Sequence, residues 1–204
     1  EGEAEVRLRT GLSAHVENTG LLHWNLVEQA AALDGVELVT ITRATGTRIA
    51  VVSRTRLSAP TEATVSDSDG APAVDHRLRL RAGAPLEIVR SVAVVPDLDT
   101  DDPLALARRV SADLATSGWD AALAASSTAW AGVWADSDIE IEGDAEAQLA
   151  VRYNLFQLIV AAPRFTDDAS LGAKTLSGYG YRHHVFWDTE IFMVPPFTFT
   201  EPDV

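Results

Sequence analysis

Apolar residues recur at every second position up to about Val95, and at every third or fourth position after Pro103. Val6 and Leu8 alternate with Arg7 and Arg9, Ile49 and Val51 with Arg48 and Ala50, and Leu78 and Leu80 with Arg77, Arg79 and Arg81. A period of two is the signature of strands with one buried and one solvated face. Glu37 to Thr42 is rich in β-branched residues, and turn signals separate these runs at Asn18-Thr19-Gly20, Asp34-Gly35, Thr45-Gly46, Asp67-Ser68-Asp69-Gly70 and Ala82-Gly83-Ala84-Pro85. Short strands at this spacing predict an antiparallel sandwich over residues 1–95.

The acidic stretch Pro96 to Pro103 has no periodicity and reads as a linker. Asp102 before Pro103 supplies an N-cap oxygen followed by a first-turn proline, whose missing N–H costs nothing there. Leu104, Ala107, Val110 and Leu114 then predict a helix, with Gly118 suited to its end. Trp119 to Trp134 predicts a second helix. Asp144 can cap a third, in which Leu149, Arg152, Tyr153, Phe156, Ile159 and Val160 recur at helical spacing before Pro163. Strands first and helices afterwards predict segregated layers, an α+β multidomain organisation. Of the large aromatic residues, Trp24, Trp119, Trp130, Trp134, Tyr153, Phe156 and Phe192 are assigned to the core.

Charge and composition narrow the function. With 47% hydrophobic residues the chain can build a real core, and a formal net charge of -14 disfavours nucleic acid as a partner. No run approaches the roughly 20 apolar residues needed to span a bilayer, so no membrane role is expected. The absence of cysteine leaves no disulfide framework or thiolate chemistry, in keeping with a reducing, cytoplasmic compartment.

The densest chemistry lies in Arg182 to Glu190, where two histidines, a tryptophan and two carboxylates crowd together. A helix starting near Asp188 would set Asp188 and Glu190 about 200° apart around its axis, so they cannot act as one carboxylate pair. On sequence alone the favoured reading of Asp188 is an N-cap, with Glu190 placed well against the macrodipole. A metal site would need His183 or His184 to join Asp188 or Glu190, and it is disfavoured because the remaining histidines, His15, His23 and His76, lie in the strand region. No Gly-x-Ser-x-Gly turn or dinucleotide loop is present. A sugar site suits the residues better. It needs an ionised carboxylate to accept hydroxyl donors beside an aromatic ring, and Trp187-Asp188 supplies both.

The stretch KTLSGYGYRHHVFWDTEIFMVPPF, residues 174 to 197, resembles a block of glycoside hydrolase family 65, the inverting disaccharide phosphorylases of maltose, trehalose, kojibiose or nigerose with some trehalose hydrolases. Upstream, DIEIEGDAEAQLAVRYNLFQL, TDDPLALARRV and VELVTITRATGTRIAVVSRTR follow in the same family order. The resemblance implies a partial β-sandwich at 1–95, a helical linker at 96–142, and at 143–204 the first helices of an (α/α)6 catalytic barrel. Trp187 and Asp188 match positions lining the subsite for the non-reducing glucose. The general acid, a glutamate, is expected downstream of Val204, so no catalytic residue is assigned here, and neither is a metal or cofactor. Inorganic phosphate would be the co-substrate and a disaccharide the substrate, and the sandwich would contribute to a homodimer.

The family commonly reads Gly-Glu-Gly-Tyr-x-Gly-His where this chain has Gly178 to His184, so Tyr179 and His183 are departures. The resemblance places this loop, with Tyr179, Arg182, His183 and His184, beside the acceptor sugar. A hydrolase of the same family is the alternative enzyme. A noncatalytic carbohydrate-binding or assembly module is the alternative from another class. Two barrel helices alone would leave the apolar faces around Phe156, Ile191 and Phe197 wet, so the 204 residues by themselves are expected to aggregate or to be partly ordered.

Overall fold

The computed structural model describes residues 2–163, 169–176 and 180–200. They fall into two compact units, Glu1–Leu123 and Ala124–Val204. The first unit holds seven strands: β1 (Glu3–Gly11), β2 (Trp24–Ala32), β3 (Gly35–Thr42), β4 (Arg48–Leu57), β5 (Glu62–Ser68), β6 (Ala71–Arg81) and β7 (Ile88–Pro96). They form a three-stranded sheet of order β1-β6-β5 and a four-stranded sheet of order β2-β3-β4-β7. Every neighbouring pair is antiparallel. β3 lies against β6 to make the sandwich, with Thr10, Val74 and His76 of one sheet facing Val36, Ser53 and Thr55 of the other.

The register explains the alternation read in the sequence. In the β1–β6 ladder, Val6 stands opposite Leu78 and Leu8 opposite His76, while Glu3 meets Arg81, Glu5 meets Arg79 and Arg9 meets Asp75 on the other face. Arg7 falls directly opposite Arg77, a like-charge pairing that is unfavourable by itself. Two carboxylates relieve it. Asp75 accepts from Arg7 Nε at 3.1 Å, and Glu62 of β5 stands opposite Arg77. Gly70, at φ 64°, turns β5 into β6. That left-handed backbone favours glycine, and a β-carbon there, 2.7 Å from the His15 ring, would also push that side chain aside.

A long helix follows, α1 (Pro103–Ser137), capped as expected by Asp102, whose Oδ1 accepts from the Ala105 N–H at 3.0 Å. Its first limb lays Leu104, Leu106, Ala107 and Val110 over Val39, Ala50, Val52, Ala93 and Val95 of the four-stranded sheet. Burial of a valine such as Val52, 1% exposed, is worth roughly 1.5–3 kcal/mol. Arg108 adds a bidentate grip on Glu37, with Nε and Nη2 at 2.6 to 3.0 Å from its oxygens. At Gly118 the backbone leaves the helix (φ 81°, ψ 176°), at the position where the sequence predicts an end. Trp119, assigned to the core, is instead 63% exposed. The break at Gly118 removes it from the helical face that packs on the sheet.

In the second unit, the later part of α1 brings Trp130, Val133 and Trp134 to a core of Leu155, Ile159, Leu171, Met193 and Phe197. Trp130 lies 5.1 Å from Phe156 and 6.0 Å from Trp134, centroid to centroid. Asp144 caps α2 (Ala145–Ala161), accepting from the N–H groups of Glu146 and Ala147 at 3.1 and 3.0 Å. Gln148 ties down the extended segment before it by accepting from Ile141 N–H and donating to the Ile139 carbonyl. Arg152 pairs with Asp138. Tyr153 was expected in the core but is exposed. It stands two residues, about 200°, from the buried Leu155 on α2.

Candidate functional site

Residues 171 to 200 carry the chemistry singled out in the sequence. Tyr179 and the side chain of His183 lie outside the described residues. Gly180–His183 forms a short 3-10 turn in which Tyr181 (φ 58°, ψ 11°) and Arg182 (φ 51°, ψ 34°) both take left-handed backbone conformations. Each such non-glycine residue costs of order 1–3 kcal/mol and must be held by its surroundings. The His184 N–H donates to the Tyr181 carbonyl at 2.9 Å. The Tyr181 ring meets Phe186 edge-on at 5.4 Å, and the Lys174 ammonium lies 5.8 Å from the Tyr181 ring centre. His184 also packs edge-on against Phe186. Arg182 and His184 are exposed.

Trp187 and Asp188 begin a helical segment that continues as one π turn, Thr189–Met193, and then α3 (Val194–Thr200). The proline pair supplies a physical reason for this change of pitch. Pro195 and Pro196 cannot donate N–H bonds, and a proline ring crowds the carbonyl four residues back. A wider turn immediately before them, with Val194 N–H donating to the Thr189 carbonyl five residues back, takes the segment past that conflict. Such single π turns are frequent at functional sites.

Asp188 does not act as the N-cap that its place in the sequence favoured. Its backbone is already helical (φ -62°, ψ -27°), and its side chain makes no capping hydrogen bond. A capping side chain folds back onto the N–H groups that follow only from an extended backbone, as Asp144 does at φ -136°, ψ 94°. Among the described residues the Asp188 carboxylate has neither a hydrogen-bond nor an ion-pair partner. The preceding Trp187 is 66% exposed, so it is not a core residue. Phe192, expected in the core, is also exposed and packs against the Trp187 indole.

The arrangement therefore offers an unpartnered, half-buried carboxylate and, next to it in the chain, an exposed aromatic face. That is equipment for hydroxyl groups and for the C–H face of a sugar ring. Among the described residues no three His, Asp or Glu side chains converge as a metal-ion site, and no helix is long and apolar enough to cross a membrane. Lys174 and Thr189 are among the residues of this region to which the sequence assigns no role. Lys174 approaches Tyr181 only through the fold. Thr189 is 1% exposed and donates its hydroxyl to the Leu171 carbonyl at 3.0 Å, a contact between segments that no local spacing reveals.

Comparison with known proteins agrees with this organisation. The N-terminal domain of glycosyl hydrolase family 65 matches residues 1–133, and the central catalytic domain of the same family matches residues 152–204. A kojibiose phosphorylase of Caldanaerobacter subterraneus subsp. tengcongensis is 43% identical over 91 residues, 45% of this chain and 12% of that protein. One from Halothermothrix orenii is 28% identical over 221 residues, 98% of this chain and 28% of that protein. A nigerose phosphorylase of Lachnoclostridium phytofermentans is 45% identical over 75 residues, 37% of this chain and 10% of that protein. A solved structure described as a kojibiose phosphorylase from the human microbiome superposes with a TM-score of 0.79 at 24% identity, over 97% of this chain and 27% of that one. The chain thus spans little more than a quarter of the length of the relatives that it matches from end to end. Its seven strands and helices correspond to the N-terminal β-sandwich and the start of the helical barrel of such phosphorylases. The chain belongs to glycoside hydrolase family 65.

Proposed function

We propose that this chain contributes the glucosyl-binding side of an inverting disaccharide phosphorylase, in which Trp187 and Asp188 hold the non-reducing glucose of an α-linked substrate. The observation that carries the reading is the half-buried carboxylate of Asp188, which has no partner among the described residues. It is not committed to capping the segment it begins, and it stands beside an exposed indole. An ionised carboxylate can accept two sugar hydroxyls in charge-assisted hydrogen bonds, while the indole covers the apolar C–H face of the ring. The names of relatives matched here, kojibiose and nigerose phosphorylases, support phosphorolysis of a glucose–glucose linkage.

In that reaction a phosphate oxygen attacks the anomeric carbon from the face opposite the leaving sugar. The bond from that carbon to the glycosidic oxygen breaks, and a general acid protonates the departing oxygen. The products are β-glucose 1-phosphate and the released sugar. Asp188 has a binding role in this scheme, and proton transfer belongs to the general acid. Arg182 and His184 border the acceptor sugar in this reading, and the departures of the sequence from the common family pattern at Tyr179 and His183 bear on which acceptor is taken.

The test is to incubate the full-length protein with kojibiose, nigerose, maltose and trehalose, with and without inorganic phosphate, and to identify the products and their anomeric form. Phosphate-dependent release of β-glucose 1-phosphate from at least one disaccharide is expected. Glucose released at the same rate without phosphate would make the protein a hydrolase, and no product from any of them would refute the reading.

A further inference from the structure

Thr189 is the most enclosed residue near the candidate site, and its bonds tie the 186–194 stretch to the segment at Leu171. Its hydroxyl donates to the Leu171 carbonyl at 3.0 Å, and its own N–H donates to the Phe186 carbonyl at 3.1 Å. Its carbonyl accepts from the Val194 N–H across the π turn. Leu171 is itself buried against Met193 and Phe197, so the carbonyl that receives the hydroxyl sits on a fixed support. Three residues beyond Leu171 comes Lys174, whose ammonium faces the Tyr181 ring, and Ala173 N–H reaches the His184 carbonyl at 3.4 Å.

We infer that Thr189 is a positioning residue: its buried hydroxyl fixes the direction in which the adjoining Asp188 carboxylate and Trp187 indole point, and holds the 171–174 segment against the 181–186 loop. The physical reason lies in the π turn. An α-helical start is set by regular i→i−4 bonds and a capping side chain, and this segment lacks the cap. The rotation of its first residues must then be set from outside, and the Thr189–Leu171 bond is the one buried side-chain hydrogen bond among the described residues that does so. The inference rests on the proposed role of Trp187 and Asp188 in binding sugar.

Thr189→Val keeps the shape and removes the hydroxyl, Thr189→Ser restores the hydroxyl without the methyl group, and Thr189→Cys offers only a weak donor. In the full-length protein, with the best disaccharide of the panel above, Thr189→Val should raise KM about tenfold, since a displacement near 1 Å at such a site is felt strongly. Thr189→Ser should bring KM back to within about twofold of wild type. A purely structural role would reduce the folded fraction, which lowers apparent kcat and leaves KM untouched. An unchanged KM in Thr189→Val therefore overturns the inference whatever happens to kcat. If Thr189→Val does not fold, the Ser and Cys proteins carry the test, and equal KM values for those two overturn it. Wild-type protein without activity on any disaccharide refutes the functional reading and this inference together, whereas an active wild type with an unaffected Thr189→Val refutes the inference alone.

Discussion

The rings of Trp187 and Phe192 lie 5.9 Å apart, centroid to centroid, with their planes inclined at 53°. Both are largely exposed, so neither is held by a core, and each limits the freedom of the other. Such aromatic pairs contribute about 0.5–1.5 kcal/mol beyond the area that they cover. If the indole is the platform for a glucose ring, Trp187→Ala should raise the disaccharide KM about tenfold or more, while Phe192→Leu, which loosens the platform without removing it, should cost about threefold. Steady-state kinetics decide it. A Trp187→Ala protein with wild-type KM would remove the indole from the site.

Asp188 is expected to matter for turnover and little for folding. Hydrogen bonds to a charged group are worth about 1.5–3 kcal/mol each, so the loss of two should lower kcat/KM by about 100-fold or more in Asp188→Asn. Because no capping bond exists to be lost, the melting temperature should stay within about 2 °C of wild type, the size of shift expected of a neutral surface change. A large drop in melting temperature with normal turnover would return Asp188 to a structural role.

Asp144 should behave in the opposite way. Its carboxylate accepts from two N–H groups at the start of α2, and removal of such a cap costs about 1 kcal/mol, within a range of about 0.5–2. Asp144→Ala is therefore expected to lower thermal or urea stability by that amount and to leave the disaccharide KM unchanged. The paired measurement on Asp144 and Asp188 separates two aspartates that look alike in the sequence, since each precedes a helical apolar run.

That likeness shows where sequence reasoning stops. The strands β1 and β6 are legible because the alternation of Val6 and Leu8, or of Leu78 and Leu80, with arginine records one face turned to solvent; β3 and β4 are covered on both faces, by the other sheet and by α1, and β3 is legible only from its β-branched residues. β2 is harder to see: its pairing with β3 slips between Leu26 and Glu28, and a bulge breaks the period of two. The Asp102 and Asp144 caps are legible because capping is a local rule. Asp188 obeys no such rule, since the prolines at 195 and 196 alter the pitch of the turn that it begins. Trp119, Tyr153 and Phe192 were misplaced because an aromatic residue at helical spacing records only that a helix is present, whereas the face it occupies depends on a break at Gly118, on the angle from Leu155, or on a partner such as Trp187. The Thr189–Leu171 bond joins segments 18 residues apart, and no pattern of residue types encodes it.

The outer face of the three-stranded sheet should show its own response to acid. Asp75 is buried, and its carboxyl is held below the usual carboxylate range chiefly by the hydrogen bond from Arg7, with burial acting against this and the charges of Arg7 and Arg9 adding to it. A carboxylate whose pKa is lower folded than unfolded contributes stability above its unfolded value, about 3.9, and loses that contribution as pH falls through the lower, folded value. Arg7 and Arg9 are substantially exposed, so solvent screens the pair and the effect is modest. Asp75→Asn should therefore weaken hydrogen-exchange protection of the β1 and β6 peptides by a constant factor between about pH 7 and pH 5, and the difference from wild type should narrow below about pH 4. Comparison at matched pH cancels the intrinsic exchange rate. A difference that persists undiminished below about pH 3 would mean that Asp75 acts through shape or neutral hydrogen bonding and that its charge is immaterial.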